Sequence, residues 1–145
     1  AKLRGELYRL FAEKGQQSRM SVNVVSFGYK YGVPLEADLV FDVRFMPNPY
    51  YVPELRYQTG MNDDVYNYVF SFPQTKEFLS KLEQMLAFLL PLYQDEGKAV
   101  LVVAVGCTGG RHRSISVARA LTDHLLERGQ NARLVCRDLT RVNEQ

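Results

Sequence analysis

The strongest constraint on the fold is an apolar run that passes directly into a glycine-rich, cationic loop. The run Val100–Val105 is typical of a buried strand, and the loop at 106–113 contains three glycines and two arginines. Apolar residues then recur at helical spacing, which predicts a helix that begins at or near Ser114. A loop of this kind before a helix offers free main-chain N–H groups and a favourable dipole to an anion. The sequence therefore predicts an anion-binding loop at a strand-to-helix turn.

The residue types in this loop suit a phosphate group. Glycine allows the backbone to approach a ligand closely, and a guanidinium group can bind two phosphate oxygens at once. A simple tight turn flanked by solvated arginines is the ordinary alternative, but the density of polar groups directly after an apolar strand favours a site. The candidate phosphate-binding residues are Gly106, Cys107, Thr108, Gly109, Gly110, Arg111, His112, Arg113 and Ser114.

Composition limits the classes of protein that need to be considered. A chain of 145 residues is long enough for one domain with a real core, and its net charge of +2 does not by itself argue for nucleic-acid binding. No apolar run approaches the length of a membrane span, and two cysteines are too few for a disulfide framework. We therefore expect a cytoplasmic protein without a membrane partner. The start at Ala1 without Met suggests a piece of something longer.

Strands and helices alternate along the predicted chain. Beyond the central strand and the helix to Arg128, strands are predicted at Val22–Ser26, Leu39–Phe45 and Ala132–Arg137. Helices are predicted at 2–14, 63–70 and 75–93, with a single helical turn at 34–38 and with Pro91 expected to kink or end the third helix. This alternation predicts an α/β fold with a mostly parallel sheet flanked by helices.

Several polar residues follow the predicted strands. In a parallel sheet the carboxyl ends of the strands meet at one edge, where ligands bind. The loops at 26–32, 44–50 and 106–114 should therefore converge. That would bring Lys30, Asp42, Arg44 and Asn48 toward the anion loop.

The same loop also permits a catalytic interpretation. Cys107 and Arg113 form a Cys-x5-Arg spacing followed by Ser114, which resembles the signature of cysteine-dependent phosphatases. There the Cys is the nucleophile and the Arg binds phosphate. Gly106 stands where those enzymes usually carry His. The general acid would have to be one of Asp38, Asp42, Asp63 and Asp64. Neither a Walker P-loop spacing nor a zinc pattern is present, so no metal ligand is predicted.

Four sequence blocks, taken together, resemble the C-terminal domain of the RapZ/YvcJ family of bacterial RNase adapter or nucleotide-binding proteins. The resemblance covers residues 20 to about 140, and its blocks are residues 26–32, residues 38–49, Thr59-Gly60 and residues 106–114. In that family a P-loop domain precedes this one. The resemblance thus implies that residues 1–18 are a lead-in helix and linker, and that residues 19–145 are the sensor domain. ATP or GTP is expected only in the preceding domain, and no cofactor in this one.

The resemblance implies regulation rather than catalysis. The resemblance implies that the domain senses glucosamine-6-phosphate or a related sugar nucleotide, such as UDP-N-acetylglucosamine. It would signal the presence of this ligand to a protein or small-RNA partner that regulates the supply of cell-envelope precursors. Family members often self-associate, so a homo-oligomer is also implied. The phosphate of this ligand is expected to bind to the loop at 106–114. The sugar side is expected at Ser26, Gly28, Lys30, Tyr31, Asp42, Arg44, Asn48 and Tyr50.

Two departures from the family pattern bear on RNA binding. The RNA-binding branch has a basic C-terminal tail, whereas residues 137–145 here have no net charge. Because non-specific RNA affinity depends on the number of neutralised phosphates, ligand sensing is the stronger expectation. The branch also carries a His where this chain has Tyr50. Tyr50 and Tyr51 could stack on a base or a sugar, or form an aromatic cap on the pocket.

Overall fold

The computed structural model describes residues 20–141. Within this range the strands are β1 (Ser21–Gly28), β2 (Leu39–Asp42), β3 (Val100–Cys107) and β4 (Asn131–Cys136). The helices are α1 (Asp63–Val69), α2 (Pro73–Glu96) and α3 (Arg113–Glu127), with short 3-10 turns at Tyr29–Tyr31 and Pro49–Tyr51. The predicted helix at 2–14 and its linker lie outside the described residues.

The four strands form one parallel sheet in the order β2-β3-β1-β4. In the register of the sheet, Ser21 lies opposite Val100 on one side and Asn131 on the other, and Asp42 lies opposite Gly106. The predicted α/β fold with a parallel sheet is therefore confirmed. Because all four strands run the same way, the loops that follow β1, β2 and β3 leave from one edge of the sheet.

A single apolar core joins the sheet to the helices. Helix α3 packs on β1, β3 and β4, and both α1 and α2 contact α3. Leu82, Leu86 and Leu90 form the buried stripe of α2, and Leu121 and Leu125 belong to that of α3. No helix in the described range is long and apolar enough to cross a membrane.

The structure differs from the prediction at β2 and in the segment that precedes it. The strand ends at Asp42 rather than Phe45, because the Asp42 carboxylate accepts the main-chain N–H of Arg44 at 2.9 Å and turns the chain. Residues 34–38 form no helix. A turn at Leu35 and Glu36 takes its place, with a 3.3 Å bond from Ala37 N to the Pro34 carbonyl.

Helix α2 begins at Pro73, two residues before the predicted start at Thr75. It runs past Pro91 and ends at Glu96, three residues beyond the predicted end at Tyr93. Pro73 occupies the first turn, where its missing N–H costs nothing. Pro91 removes one internal hydrogen bond, but α2 keeps contact with the core beyond it, because the partly buried Tyr93 packs against the core cluster. Gly97 then adopts a left-handed conformation with φ of +95° and ends the helix.

Core packing by α2 gives a direct test of this arrangement. We expect Leu86→Ala to lower the free energy of unfolding by about 2–5 kcal/mol, because Leu86 is fully buried and its removal leaves a cavity. The matched control is Met85→Ala on the exposed side of the same helix, which should change it by no more than about 0.5 kcal/mol. Urea denaturation measures both. Equal losses for the two variants would contradict the placement of α2.

Candidate functional site

A cavity of about 400 Å³ opens where the loops after β1, β2 and β3 meet. This volume is in the range of small-ligand sites. Its lining is cationic and aromatic, and comprises Lys30, Asn48, Tyr50, Tyr51, Arg56, Tyr57, Cys107, Thr108, Gly109, Arg111, His112 and Arg113. The convergence expected from a parallel sheet therefore brings Lys30 and Asn48 to the same cavity as the glycine-rich loop.

Close packing of two glycines sets the position of this loop. A Cβ on Gly28 would lie 2.6 Å from the carbonyl carbon of Gly109, and one on Gly110 would lie 2.5 Å from the nitrogen of Gly28. Gly110 also has a positive φ of +77°, which side chains rarely adopt. The end of β1 thus supports the loop that follows β3 by direct backbone contact.

The carbonyl groups of the loop are turned to protein donors. Thr108 O accepts from Lys30 N at 3.2 Å, Arg111 O from Gly60 N at 2.8 Å, and His112 O from Ser116 N at 3.0 Å. Within residues 20–141, by contrast, the main-chain N–H groups of residues 108–112 have no hydrogen-bond acceptor. A run of unpaired N–H groups beside a helix N-terminus is a favourable environment for negative charge.

Two arginine side chains are buried in the cavity wall without a carboxylate partner. Arg111 and Arg113 are 8% and 5% exposed, and neither lies within ion-pairing distance of an acidic residue in the described part of the chain. Burial lowers the pKa of Arg111, although a guanidinium remains charged at neutral pH. Both Nε groups are buried without a partner. Uncompensated buried charge of this kind is costly unless an anion is bound.

The two arginines are held differently. Arg113 donates from Nη1 to the carbonyl oxygens of Arg44 at 2.8 Å and Met46 at 3.0 Å, so it fastens the loop after β2. With the described residues, Arg111 makes only one long hydrogen bond, from Nη2 to Tyr57 O at 3.4 Å. Arg113 therefore has a clear structural role, whereas most of the hydrogen-bonding capacity of Arg111 is unused.

Cys107 and His112 are also part of the cavity wall. The Cys107 thiol is 2% exposed and donates to the Ser114 hydroxyl at 3.2 Å. His112 Nε2 lies 3.0 Å from the Arg56 carbonyl, and because a carbonyl can only accept, Nε2 carries the proton. Burial lowers the pKa of His112, so its ring is neutral at pH 7.

The residues expected on the sugar side separate into two groups. Lys30, Asn48 and Tyr50 line the cavity. The other five are not part of its lining. Asp42 pairs with Arg44 at 2.7 Å, and Arg44 stacks on Tyr29. Ser26 is buried in β1, Gly28 N donates to the Asp138 carboxylate at 2.8 Å, and the Tyr31 hydroxyl donates to Arg141 O at 3.0 Å.

Sequence reasoning considers Tyr51 beside Tyr50 as a ring that could stack on a ligand, but it missed two residues of the wall, Arg56 and Tyr57. They lie on an irregular segment that turns twice, with Arg56 N bonded to Val52 O and Gln58 N bonded to Leu55 O. The only signal in the sequence is the pair Arg56-Tyr57 shortly after a proline-rich loop.

The carboxylates proposed as a general acid lie elsewhere. Asp38 pairs with Lys98 at 2.8 Å, Asp42 with Arg44, and Asp63 with Arg119 at 2.9 Å, while Asp64 is exposed on the first turn of α1. No carboxylate lines the cavity in the described range. Nor do the described residues contain a group of three or more His, Cys, Asp or Glu that could hold a metal ion.

The family is decided by comparison with known proteins. A family model described as the RapZ C-terminal domain matches residues 20–140, which is most of the chain. The chain belongs to the RapZ C-terminal domain family. This match covers every loop that lines the cavity, so the site described above lies wholly within the RapZ C-terminal domain.

Curated relatives of this RapZ domain are similar over nearly its whole length. A nucleotide-binding protein of Clostridium novyi is 51% identical over 94% of the chain, and one of Carboxydothermus hydrogenoformans is 49% identical over 100%. The matches cover 47% and 50% of those proteins, so the chain spans about half the length of the curated relatives it matches.

The environment of His112 predicts a pH dependence of stability. Because its pKa in the folded state is below the usual 6.5, the unfolded chain binds a proton that the folded chain does not as the pH falls below about 6.5. This contribution to stability is therefore present above pH 6.5 and lost on acidification. We expect His112→Gln to flatten the decline in the free energy of unfolding between pH 6.5 and 5.5, as measured by urea titration.

The second histidine of the chain provides the control. His124 on α3 lies 3.3 Å from Glu83 and outside the cavity wall. His124→Gln should leave the contribution of His112 in place. A wild-type slope in His112→Gln would contradict the neutral, buried state of that ring.

Proposed function

We propose that this RapZ C-terminal domain is a non-enzymatic regulatory sensor of a phosphorylated amino sugar, glucosamine-6-phosphate, or of a related sugar nucleotide such as UDP-N-acetylglucosamine. The observation that carries the proposal is the pair of buried guanidinium groups, Arg111 and Arg113, that face one cavity without a carboxylate. Family membership supports a regulatory role. The names of the curated relatives are consistent with a ligand that contains a nucleotide.

The phosphate would occupy the base of the cavity beside the loop at 106–114. Three kinds of donor are available to it there: the unpaired N–H groups of residues 108–112, the Nη groups of Arg111, which make only one long bond in the described range, and the N-terminus of α3. A bound dianion would offset the cost of burying both cations. Lys30 lines the same cavity and would add a third positive charge.

The sugar would lie against the residues of the loops after β1 and β2. The Asn48 carboxamide oxygen already accepts from Tyr50 N at 3.0 Å, which leaves its NH₂ group to donate to a sugar hydroxyl. Tyr50 presents a ring to the same space. The cavity volume of about 400 Å³ exceeds what a phosphate alone needs and leaves room for a sugar.

Occupancy would then be relayed to a protein or small-RNA partner that controls the supply of cell-envelope precursors. The cavity wall is built from the loops after β1, β2 and β3, so a bound ligand would add contacts between segments that are already joined by Arg113 and by main-chain bonds such as Lys30 N to Thr108 O. A sensor needs only differential binding between two such states. In the whole protein, which we place in the cytoplasm as a homo-oligomer, ATP or GTP would bind to a preceding P-loop domain.

Replacement of Arg111 tests the phosphate assignment without removing the structural bonds of Arg113. We expect Arg111→Met to weaken binding of glucosamine-6-phosphate about tenfold or more, since hydrogen bonds to charged groups contribute about 1.5–3 kcal/mol. Its free energy of unfolding in phosphate-free buffer should be unchanged or higher, because a buried unpaired cation has been removed. Isothermal titration calorimetry and urea denaturation measure the two effects.

Arg133→Met is the control for net charge, because Arg133 is exposed on β4 and away from the cavity. It should bind the sugar phosphate as the wild type does. An absence of binding by the wild type at millimolar concentrations, or unaltered affinity in Arg111→Met, would overturn the proposal.

A cysteine-dependent phosphatase is the second candidate, and the contact between Cys107 and Ser114 beside Arg113 favours it. The absence of a carboxylate from the described cavity wall argues against turnover, because the leaving group would lack a general acid. We therefore expect the wild type to release no phosphate from glucosamine-6-phosphate or p-nitrophenyl phosphate. Cys107→Ser should retain ligand affinity. Phosphate release that disappears in Cys107→Ser would instead establish the phosphatase.

A further inference from the structure

The mouth of the cavity carries more exposed aromatic surface than a sugar phosphate requires. Tyr51 and Tyr57 line the cavity, yet they remain 76% and 78% exposed. Large aromatic side chains left in water beside a cationic pocket are an energetic cost unless a ligand covers them. The two rings therefore mark a second part of the binding site, above the proposed phosphate position.

The contacts of the three tyrosines at the mouth distinguish which ring is free. Tyr50 has the Arg56 guanidinium 4.9 Å from its ring centroid, and the Tyr51 ring meets it edge-on at 5.7 Å and 87°. Tyr57 has no ring or cation contact with any other residue in the range 20–141. Tyr57 is thus the ring available to stack on a ligand.

The backbone under Tyr57 is fixed at a short distance from the buried cations. Its carbonyl accepts from Arg111 at 3.4 Å, and the neighbouring carbonyl of Arg56 accepts from His112 at 3.0 Å. Leu55, 8% exposed, anchors the same segment in the core. A ring on so well-held a segment loses little conformational freedom when it stacks on a ligand.

We propose that Tyr57, with Tyr51 beside it, forms a nucleobase-stacking subsite, so that the ligand of this cavity is a free nucleotide or nucleotide sugar. This inference rests on the proposed function, because it takes the phosphate to lie at Arg111 and Arg113. Every nucleobase offers a flat face, and stacking on an aromatic side chain is tolerant of base identity. The terminal phosphate of a free nucleotide, or the diphosphate of a nucleotide sugar, supplies two negative charges that match the two buried cations.

A pair of ligands that differ only in the base tests the subsite in the whole chain. Uridine 5′-monophosphate and ribose 5-phosphate carry the same phosphate and sugar, so the ratio of their dissociation constants isolates the base. We expect the wild type to prefer uridine monophosphate by about tenfold or more. Tyr57→Ala should reduce this preference to near unity, with ribose 5-phosphate binding unchanged, and Tyr57→Phe should retain it.

Phe88→Ala is the matched control, because Phe88 is a similarly exposed ring, 66% exposed, on α2 and outside the cavity. A wild type that binds both ligands equally would overturn the subsite and leave the phosphate site standing. So would a preference that survives in Tyr57→Ala. If neither ligand nor inorganic phosphate binds, the proposed function fails as well. Binding of single-stranded RNA, but of no mononucleotide, would replace the free nucleotide by a nucleic-acid partner and so overturn the inference.

Discussion

The site depends on two buried guanidinium groups, those of Arg111 and Arg113, that form no ion pair within residues 20–141. Arg111 and Arg113 sit in the wall of one cavity, and in the described range no acidic side chain reaches either guanidinium. Ordinary structural arginines are exposed or paired, because an unpaired charge in a protein interior is expensive. Among residues 20–141, the N–H groups of residues 108–112 have no acceptor, while the carbonyl groups of Thr108, Arg111 and His112 accept bonds from protein donors. Both features favour an anion, and they arise independently, one from side chains and one from the main chain.

This arrangement depends in turn on the parallel sheet and on two glycines. Because β1, β2 and β3 run the same way, their following loops meet at one edge. Gly28 and Gly110 allow the end of β1 and the loop after β3 to touch at backbone distance, which a single Cβ would prevent. Arg113 then ties the loop after β2 to both by bonds to two carbonyl oxygens. The cavity is therefore built from segments far apart in sequence, and a ligand that bridges them can affect all of them together.

The sequence predicts most of the fold, the base of the cavity and, at Tyr50 and Tyr51, part of its mouth, but not Arg56 and Tyr57. An apolar run before a glycine-rich loop is a strong local signal, and parallel topology then places Lys30 and Asn48 without further information. Local sequence patterns do not predict structure at positions that are determined by side-chain hydrogen bonds or by contacts between residues far apart in sequence. The Asp42 carboxylate ends β2 early by bonding Arg44 N. Arg56 and Tyr57 are held at the cavity by bonds from His112 and Arg111 to their carbonyl oxygens, more than 50 residues away in sequence. The segment around Tyr57 has no periodic pattern from which such contacts could be predicted. In α2, the helix continues through Pro91, so packing can outweigh a local helix-breaking residue.

The most direct test of the central claim is a crystal structure of the chain with glucosamine-6-phosphate bound. The account predicts a phosphate group within hydrogen-bond distance of the Arg111 guanidinium and of main-chain N–H groups between residues 108 and 112. It also predicts that Arg113 keeps its bonds to the carbonyl oxygens of Arg44 and Met46. A phosphate found elsewhere on the surface, with the N–H groups of the loop still unpaired and the cavity filled only by water, would contradict it.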